Sequence, residues 1–150
     1  MFLRPYHPDD LDELLTLFYE TVHTVNAADY TPRQLDAWAP AAPDRGRWQR
    51  TLAAHTALVA VEEGRIVGFG DIDATGYLDR LYVHREFQHQ GIATALCDAL
   101  EAAVPGRDLS VHASLTARPF FERRGYAVVR TQQVVCRGVA MTNHVMARRR

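Results

Sequence analysis

The stretch Gln88-His89-Gln90-Gly91-Ile92-Ala93 most constrains what this 150-residue chain can fold into. It lies between a strand-like run, residues 77–83, and a helix-like run that begins near Gln90 and ends at Pro105-Gly106. The first N–H groups of a helix have no partners within the helix and carry the positive end of its dipole, so they attract anions. Gly91 and Ala93 allow a ligand to approach this backbone closely. The sequence therefore predicts a phosphate site at a strand-to-helix turn.

The spacing of apolar residues predicts the other elements. A first helix is indicated by apolar residues at three- and four-residue steps from Leu11 to Val25. Residues 26–47 contain three prolines and predict short helices joined by loops. Later segments predict a hairpin at 57–70, strands at 77–83 and 109–113, a short helix at 116–124, and strands at 126–135 and 139–146.

This order of elements predicts an α/β (α+β) fold. We expect a mixed, largely antiparallel central sheet of about six or seven strands with helices on both faces. The length and the 47% hydrophobic content are sufficient for one core, so residues 1–150 are expected to form a single domain.

Composition argues against several classes of function. The net charge of −1 favours neither a nucleic-acid binder nor a membrane-surface protein, and the one basic run, residues 148–150, is interpreted as a solvated tail. The chain has no apolar stretch of about 20 residues and no apolar leader at its start, so a cytoplasmic location is expected. Cys97 and Cys136 form no C-x-x-C pair and no H-x-x-x-H pattern occurs, so no metal site is expected.

The predicted anion site has two familiar alternatives, and both lack support. Neither the dinucleotide-binding pattern G-x-G-x-x-G nor the P-loop pattern G-x-x-x-x-G-K-[ST] occurs in the chain. Residues Gln90 to Thr94 would nevertheless offer backbone N–H groups to a pyrophosphate.

Gln88, Gly91 and Ala93 match the Q/R-x-x-G-x-G/A motif of the GNAT superfamily of acyl-CoA-dependent N-acetyltransferases, which the chain resembles. About thirty residues later, residues 117–126 resemble the A-x-x-F-Y-x-x-x-G-F/Y segment of the same family. Residues 81–84 resemble the strand that enters the first motif, and the resemblance covers nearly the whole chain. Residues 22–26 and 136–138 further resemble a subgroup of uncharacterised bacterial acetyltransferases.

The resemblance implies acetyl-CoA as co-substrate and direct attack of an amine on its thioester, through a tetrahedral intermediate. The acceptor would be a primary amine of a small molecule or peptide. A homodimer is a further possibility. Backbone N–H groups around Tyr82 and Val83 would bind the developing oxyanion. Ser114 stands where the family often has an asparagine on the fourth strand. The residues expected to bind acetyl-CoA are Leu81, Tyr82, Val83, Gln88, His89, Gln90, Gly91, Ile92, Ala93, Thr94, Ser114, Ala117, Phe120 and Phe121.

Asp79 is the first choice for the general base, because it lies in the strand that leads into the cofactor turn. The alternative is that Asp79 forms a structural ion pair with its neighbour Arg80. Glu62, His112 and His23 are lesser candidates for the base.

The general acid is less well defined, because the family commonly places a tyrosine where this chain has Phe121. Either the thiolate leaves without assistance, or the side chain of Tyr82, Tyr126 or Cys136 replaces the tyrosine; Tyr82 is chosen beside Asp79 as the second catalytic residue. The same substitution leaves open a second function, a non-catalytic acyl-CoA sensor or interaction module.

Acceptor recognition is assigned to polar and aromatic residues at both ends of the chain. The early set is His23, Asn26, Tyr30 and Trp38, and the late set is Cys136 and Asn143. Tyr30 and Trp38 have the alternative role of covering the core.

Overall fold

A computed structural model describes all of residues 1–150 and consists of one seven-stranded sheet flanked by five α-helices. Short 3-10 turns cover Pro8–Asp10, Asn26–Ala28 and Arg85–Phe87. The strands are β1 (Phe2–Pro5), β2 (Thr56–Glu62), β3 (Arg65–Ile72), β4 (Tyr77–Val83), β5 (Leu109–Ser114), β6 (Ala127–Cys136) and β7 (Val139–Arg148). The helices are α1 (Leu11–Thr24), α2 (Pro32–Trp38), α3 (Arg45–Ala54), α4 (Ile92–Ala102) and α5 (Arg118–Arg123).

The strands follow the order β1-β2-β3-β4-β5-β7-β6, and every pair is antiparallel except β4 with β5. The predicted mixed, largely antiparallel sheet is therefore confirmed. Two elements were not expected from the sequence. β1 has four residues and ends in a proline, which is too short for a visible alternation, and α3 has only Trp48 and Leu52 as large apolar residues.

Helices cover both faces of the sheet. On one face, α1, α2 and α3 enclose a core of sixteen buried residues that includes Leu14, Val22 and Phe69. On the other face, α4 and α5 pack on the sheet through Leu100 and Phe121, which belong to one buried cluster with Leu78 of β4. This side is close-packed, since a Cβ at Gly70 would lie 3.0 Å from Leu100 and 2.9 Å from a backbone oxygen of β4. Because Gly70 has no side chain, α4 can lie directly on β3.

The sheet opens between its two parallel strands. β4 and β5 pair only at Tyr77 with Ser110 and Leu78 with Val111, and beyond these pairs no ladder joins them. At the same level β4 contains a bulge, because Ile72 faces Leu78 whereas Asp71 faces Arg80, which leaves Asp79 as the extra residue. The gap therefore begins beside the side chain of Asp79, which the bulge removes from the regular alternation of side chains along β4.

The arginine-rich end of the chain is not the solvated tail expected from the sequence. The Arg150 side chain donates to the carbonyl oxygens of Arg107, Glu101 and Val104, and its backbone N–H donates to Asp108. A cation there satisfies carbonyls at the C-terminus of α4 and complements the negative end of the helix dipole. None of the helices is both long and apolar enough to cross a bilayer.

Candidate active site

The gap between β4 and β5 continues into a cleft of about 730 Å³. Its walls come from both faces of the sheet, so the cleft connects the α4/α5 side to the α1/α2 side. On the first side it is lined by the turn before α4 and by α5. On the second side it is lined by Thr21, Val25 and Asn26 near the end of α1 and by Trp38 of α2. Two reactants can therefore enter from opposite faces and meet between the strands.

Seven consecutive backbone amides, from Gln88 to Thr94, donate no hydrogen bond within the chain. The first intrahelical bond of α4 runs from the Ala95 N–H to the Gly91 oxygen, and no side chain caps the helix. His89 and Gly91 both adopt positive φ, 59° and 82°, and this alternation with ordinary conformations turns successive N–H groups toward one side. The free amides and the helix dipole make this turn an anion site.

The edge of β4 that faces the cleft also presents unpaired amides. In an antiparallel pair of strands, every second pair of facing residues is hydrogen-bonded. The His84 N–H donates to the Val67 oxygen, so Tyr82, two residues earlier, is hydrogen-bonded to Phe69 of β3 as well. The N–H groups of Leu81 and Val83 must then point away from β3, toward the gap. The Gln88 side chain, which donates to the Val83 oxygen at 2.6 Å, confirms this direction. Of the two amides expected from the sequence to face the thioester, that of Val83 therefore points into the gap, whereas that of Tyr82 points toward β3.

Asp79 lies at the mouth of the cleft within a cluster of charges. Its Oδ2 is 3.5 Å from Arg80 and 3.9 Å from the Nδ1 of His55, and its side chain is 31% exposed. Behind it, the fully buried Asp71 lies 2.7 Å from both His55 and Arg80. The Arg80 guanidinium is fixed further by a bond to Thr51, and it stacks 4.3 Å from the Trp48 ring. Asp79 is thus an accessible carboxylate held beside a rigid cation.

His55, Asp71 and Asp79 place three potential metal ligands within 4.8 Å of one another. The positive charge that these carboxylates require is already provided by Arg80, which contacts both of them. Burial raises the pKa of the Asp71 carboxyl, and the ion pair with Arg80 opposes that effect. The arrangement is therefore that of a buried ion-pair network with one exposed carboxylate.

Tyr82 projects from β4 into the aromatic core on the α1 side. Its ring centroid lies 4.9 Å from that of Phe18 and 5.7 Å from that of Phe69. Burial raises the pKa of the Tyr82 phenol above its usual value, so the hydroxyl stays protonated through the physiological range. A protonated phenol beside the cleft has the chemistry of a general acid.

Of the residues predicted to bind acetyl-CoA, the structure places all but one in the lining of the cleft. The exception is Gln90, whose side chain turns back toward the Glu86 oxygen. Ser114 also has a local role, since its Oγ accepts from the Ala117 N–H at the turn into α5.

The predicted acceptor-binding residues divide into two groups. Asn26 and Trp38 line the cleft, and the remaining four do not. His23 contacts the Ala39 oxygen. Tyr30 is buried and bonded to backbone, which agrees with its alternative role in the core. Cys136 donates to the Ala37 oxygen, and Asn143 accepts from Gln132 on the neighbouring strand.

The other candidate acids and bases also divide into residues that line the cleft and residues that do not. Tyr82 and His112 line the cleft, as Asp79 does. Glu62 pairs with the N-terminal amine at the far end of β2, 3.3 Å away. The Tyr126 hydroxyl donates to the buried Glu101 of α4, and neither residue lines the cleft. Among the proposed substitutes for the family tyrosine, only Tyr82 therefore borders the cleft.

Several residues of the site had no detectable signal in the sequence. Thr21 and Thr116 line the cleft, but a threonine alone indicates no function. His55 and Asp71 reach the Asp79 cluster from the end of α3 and from β3, an association that only the fold reveals. Since α3 was not predicted as a helix, its contribution through Thr51 and Trp48 was also missed.

Comparison with known proteins agrees with this geometry. The family model described as an acetyltransferase (GNAT) domain matches residues 26–148. The uncharacterized N-acetyltransferase YafP of Escherichia coli strain K12 is 38% identical over 144 residues, 96% of this chain and 93% of YafP. A crystal structure from Rhodopseudomonas palustris, described as a GCN5-related N-acetyltransferase and as an aminotransferase of class II, is 33% identical. It superposes with a TM-score of 0.94 over 99% of this chain and 94% of that one.

A more distant structure shows the same fold. PaiA N-acetyltransferase from Thermoplasma acidophilum, solved in complex with coenzyme A, is 16% identical and has a TM-score of 0.83 over 99% of this chain and 98% of that one. The matched family model, the relative and the shared architecture confirm the resemblance found in the two sequence motifs. The chain therefore belongs to the GNAT family of N-acetyltransferases.

Proposed function

We propose that this protein transfers the acetyl group of acetyl-CoA to a primary amine. One observation carries the proposal: a single cleft passes through the sheet, with seven free amides at one end and the exposed Asp79 carboxylate at the other. The family membership supplies the class of reaction, and the cleft supplies a place for each reactant. The single-domain organisation, the cytoplasmic location and a homodimer remain predictions.

The amides of Gln88 to Thr94 are the proposed site of the CoA pyrophosphate, because they offer many donors and a favourable dipole without a dedicated cation. The pantetheine arm would then enter the gap beside β4, where the amides of Leu81 and Val83 lack partners in the sheet. That coenzyme A is present in the PaiA complex agrees with this assignment.

The proposed chemistry uses groups on both sides of the gap. Asp79 accepts a proton from the substrate ammonium, and the amine nitrogen then forms a bond to the thioester carbon. The N–H groups of Leu81 and Val83 donate to the oxyanion that develops on the carbonyl oxygen. As the carbon–sulfur bond breaks, the thiolate takes a proton from the Tyr82 hydroxyl or from water, and the second proton lost by the amine nitrogen restores that donor. Orientation of two bound reactants supplies most of the rate enhancement.

The test combines free-thiol release with mass spectrometry of the acetylated product over a panel of primary amines. We expect turnover by the wild-type protein and a large loss of kcat in Asp79→Asn, with the Kd for acetyl-CoA nearly unchanged. Asp9→Asn is the matched control, since that side chain is 93% exposed and pairs only with His7. If acetyl-CoA binds and no amine is acetylated, the non-catalytic acyl-CoA sensor is the better description.

A further inference from the structure

The segment Asn26–Ala39, which we call the strap, forms one wall of the cleft and is fastened to the hairpin of β6 and β7. The Tyr30 hydroxyl donates to the Thr142 oxygen at 2.7 Å and accepts from the Leu115 N–H at 2.9 Å. Gln34 donates to the Ala140 oxygen, and Arg137 donates to the Ala37 oxygen. The strap and the hairpin are thus joined directly, with backbone groups of both already engaged.

Apolar packing closes the same junction behind the hydrogen bonds. Met141 of β7 is 7% exposed and belongs to one buried cluster with Tyr30, Leu35 and Ala37 of the strap. At the end of the strap that is nearest α5, Asp29 accepts from the Thr116 hydroxyl at 2.8 Å. No groove therefore separates the strap from the hairpin.

A peptide acceptor that binds in an extended conformation pairs its backbone with free donors and acceptors along a groove. Here the carbonyl oxygens of Thr142, Ala140 and Ala37 are bonded across the junction where such a groove would lie. On the acceptor side, the exposed residues of the cleft lining are Asp79 and His112, which mark the mouth. An acceptor must enter there and fit inside a cleft of about 730 Å³ that also holds the acetyl-bearing arm.

The charges of the lining restrict the acceptor further. Arg80 is neutralised by Asp71 and Asp79, and Arg123 lies on α5, at the opposite end of the cleft. No free guanidinium is left near the mouth to pair with a carboxylate of the acceptor. The interior wall beyond Asp79 consists of the Trp38 and Tyr82 rings, Val25, and the uncharged Asn26 and Thr21 side chains.

We infer that the acceptor is a small primary amine carried on an uncharged, apolar or aromatic body, and that peptides and free amino acids are excluded. The inference rests on the proposed acetyl transfer and specifies its substrate class. The ammonium group meets Asp79 at the mouth, and the body lies against Trp38. Asn26, which is 6% exposed and whose side chain bonds to no other residue of the chain, is available to a polar atom on that body.

The experiment compares kcat/KM for 2-phenylethylamine, phenylalanine and unstructured pentapeptides with a free N-terminus or a lysine. The first two differ only in the carboxylate, so their ratio isolates the charge argument. We expect both phenylalanine and the peptides to be at least about 100-fold poorer than 2-phenylethylamine, as burial of an unpaired carboxylate or exclusion from the site would produce.

The strap is tested with Tyr30→Phe and Arg137→Ala, each of which removes bonds across the junction. We expect the ratio of peptide to amine kcat/KM to rise by about tenfold in these variants. Tyr19→Phe is the control, because the Tyr19 hydroxyl makes no hydrogen bond and its side chain lies outside the strap. A second readout is Trp38→Ala, which should raise KM for 2-phenylethylamine and leave KM for acetyl-CoA unchanged.

The outcomes separate the two proposals. Peptide acetylation as efficient as amine acetylation in the wild-type protein would overturn the inference and leave the acetyl transfer intact. An unchanged peptide ratio in both strap variants would remove the strap as the cause of selectivity, and phenylalanine turnover equal to that of 2-phenylethylamine would refute the charge argument. Acetyl-CoA binding without acetylation of any amine would instead overturn the proposed function, and this inference with it.

Discussion

Gly91 provides a direct test of the cofactor turn, through the change Gly91→Ala. Its φ of 82° lies in the left-handed region, where an L side chain costs roughly 1–2 kcal/mol. A Cβ at this position would meet no atom within 4 Å, so no steric penalty within the protein adds to the backbone cost. For a chain of this length, we expect the melting temperature to fall by roughly 2–8 °C.

The same methyl group would also occupy the open space in which we place the pyrophosphate. Loss of one charge-assisted hydrogen bond to phosphate would weaken acetyl-CoA binding by roughly 10- to 100-fold. Gly106→Ala is a matched control, because Gly106 has a φ of 74°, has no atom within 4 Å of a Cβ and lies beyond the other end of α4. Both variants should therefore lose similar stability, and only Gly91→Ala should lose affinity.

The assays are thermal unfolding followed by circular dichroism and isothermal titration with acetyl-CoA. Equal affinities in the two variants would refute the assignment of the turn, whether both bind normally or both bind weakly. A fall in melting temperature of both variants with no difference in Kd would show that the strain argument holds and that the ligand lies elsewhere.

Three further predictions concern the proton-transfer residues and the fold. Asp79→Asn should lower kcat by about 10²–10⁴-fold, measured by thiol release at saturating acetyl-CoA, because the base loses its charge and keeps its size. Burial raises the pKa of Tyr82, so this acid should stay protonated and kcat should not fall with rising pH below about pH 10. If kcat does fall in that range, and falls equally in Tyr82→Phe, another group is the acid. The hydrogen-bonded Arg4 lowers the pKa of the Asp10 carboxyl, so their pair stabilises the fold above the ordinary carboxyl pKa. Asp10→Asn should cost up to about 1 kcal/mol at pH 7, and the difference in urea unfolding should disappear as the pH falls through the lowered pKa of Asp10.

The elements that the sequence predicted well have strong local signals. The strand predicted at residues 77–83 coincides with β4, because Gly76 directly precedes the strand and the turn before α4 follows it. The free amides of Gln90 to Thr94 were predicted, since a helix N-terminus has the same physical properties in any fold, whereas those of Gln88 and His89 were not. The resemblance to the GNAT family added the second motif and with it the expected ligand, acetyl-CoA.

The parts that could not be predicted depend on contacts between distant segments. The charge cluster around Asp79 needs His55 from the end of α3 and Asp71 from β3, which come together only when the sheet forms. The direction of each amide in β4 depends on the β3–β4 register. The sequence therefore could not show that the N–H group of Leu81, rather than that of Tyr82, points into the gap. The role of Tyr30 is set by its partners 85 and 112 residues away.

The central claim is that acetyl-CoA occupies the cleft between β4 and β5, and an amide NMR titration of the ¹⁵N-labelled 16.9 kDa protein tests it most directly. We expect the largest shift changes at the seven amides from Gln88 to Thr94, followed by those of Leu81 and Val83, with a smaller change at Tyr82. Shift changes centred instead on the arginine-rich hollow between Asp98 and Arg148, or none at the turn, would contradict the account.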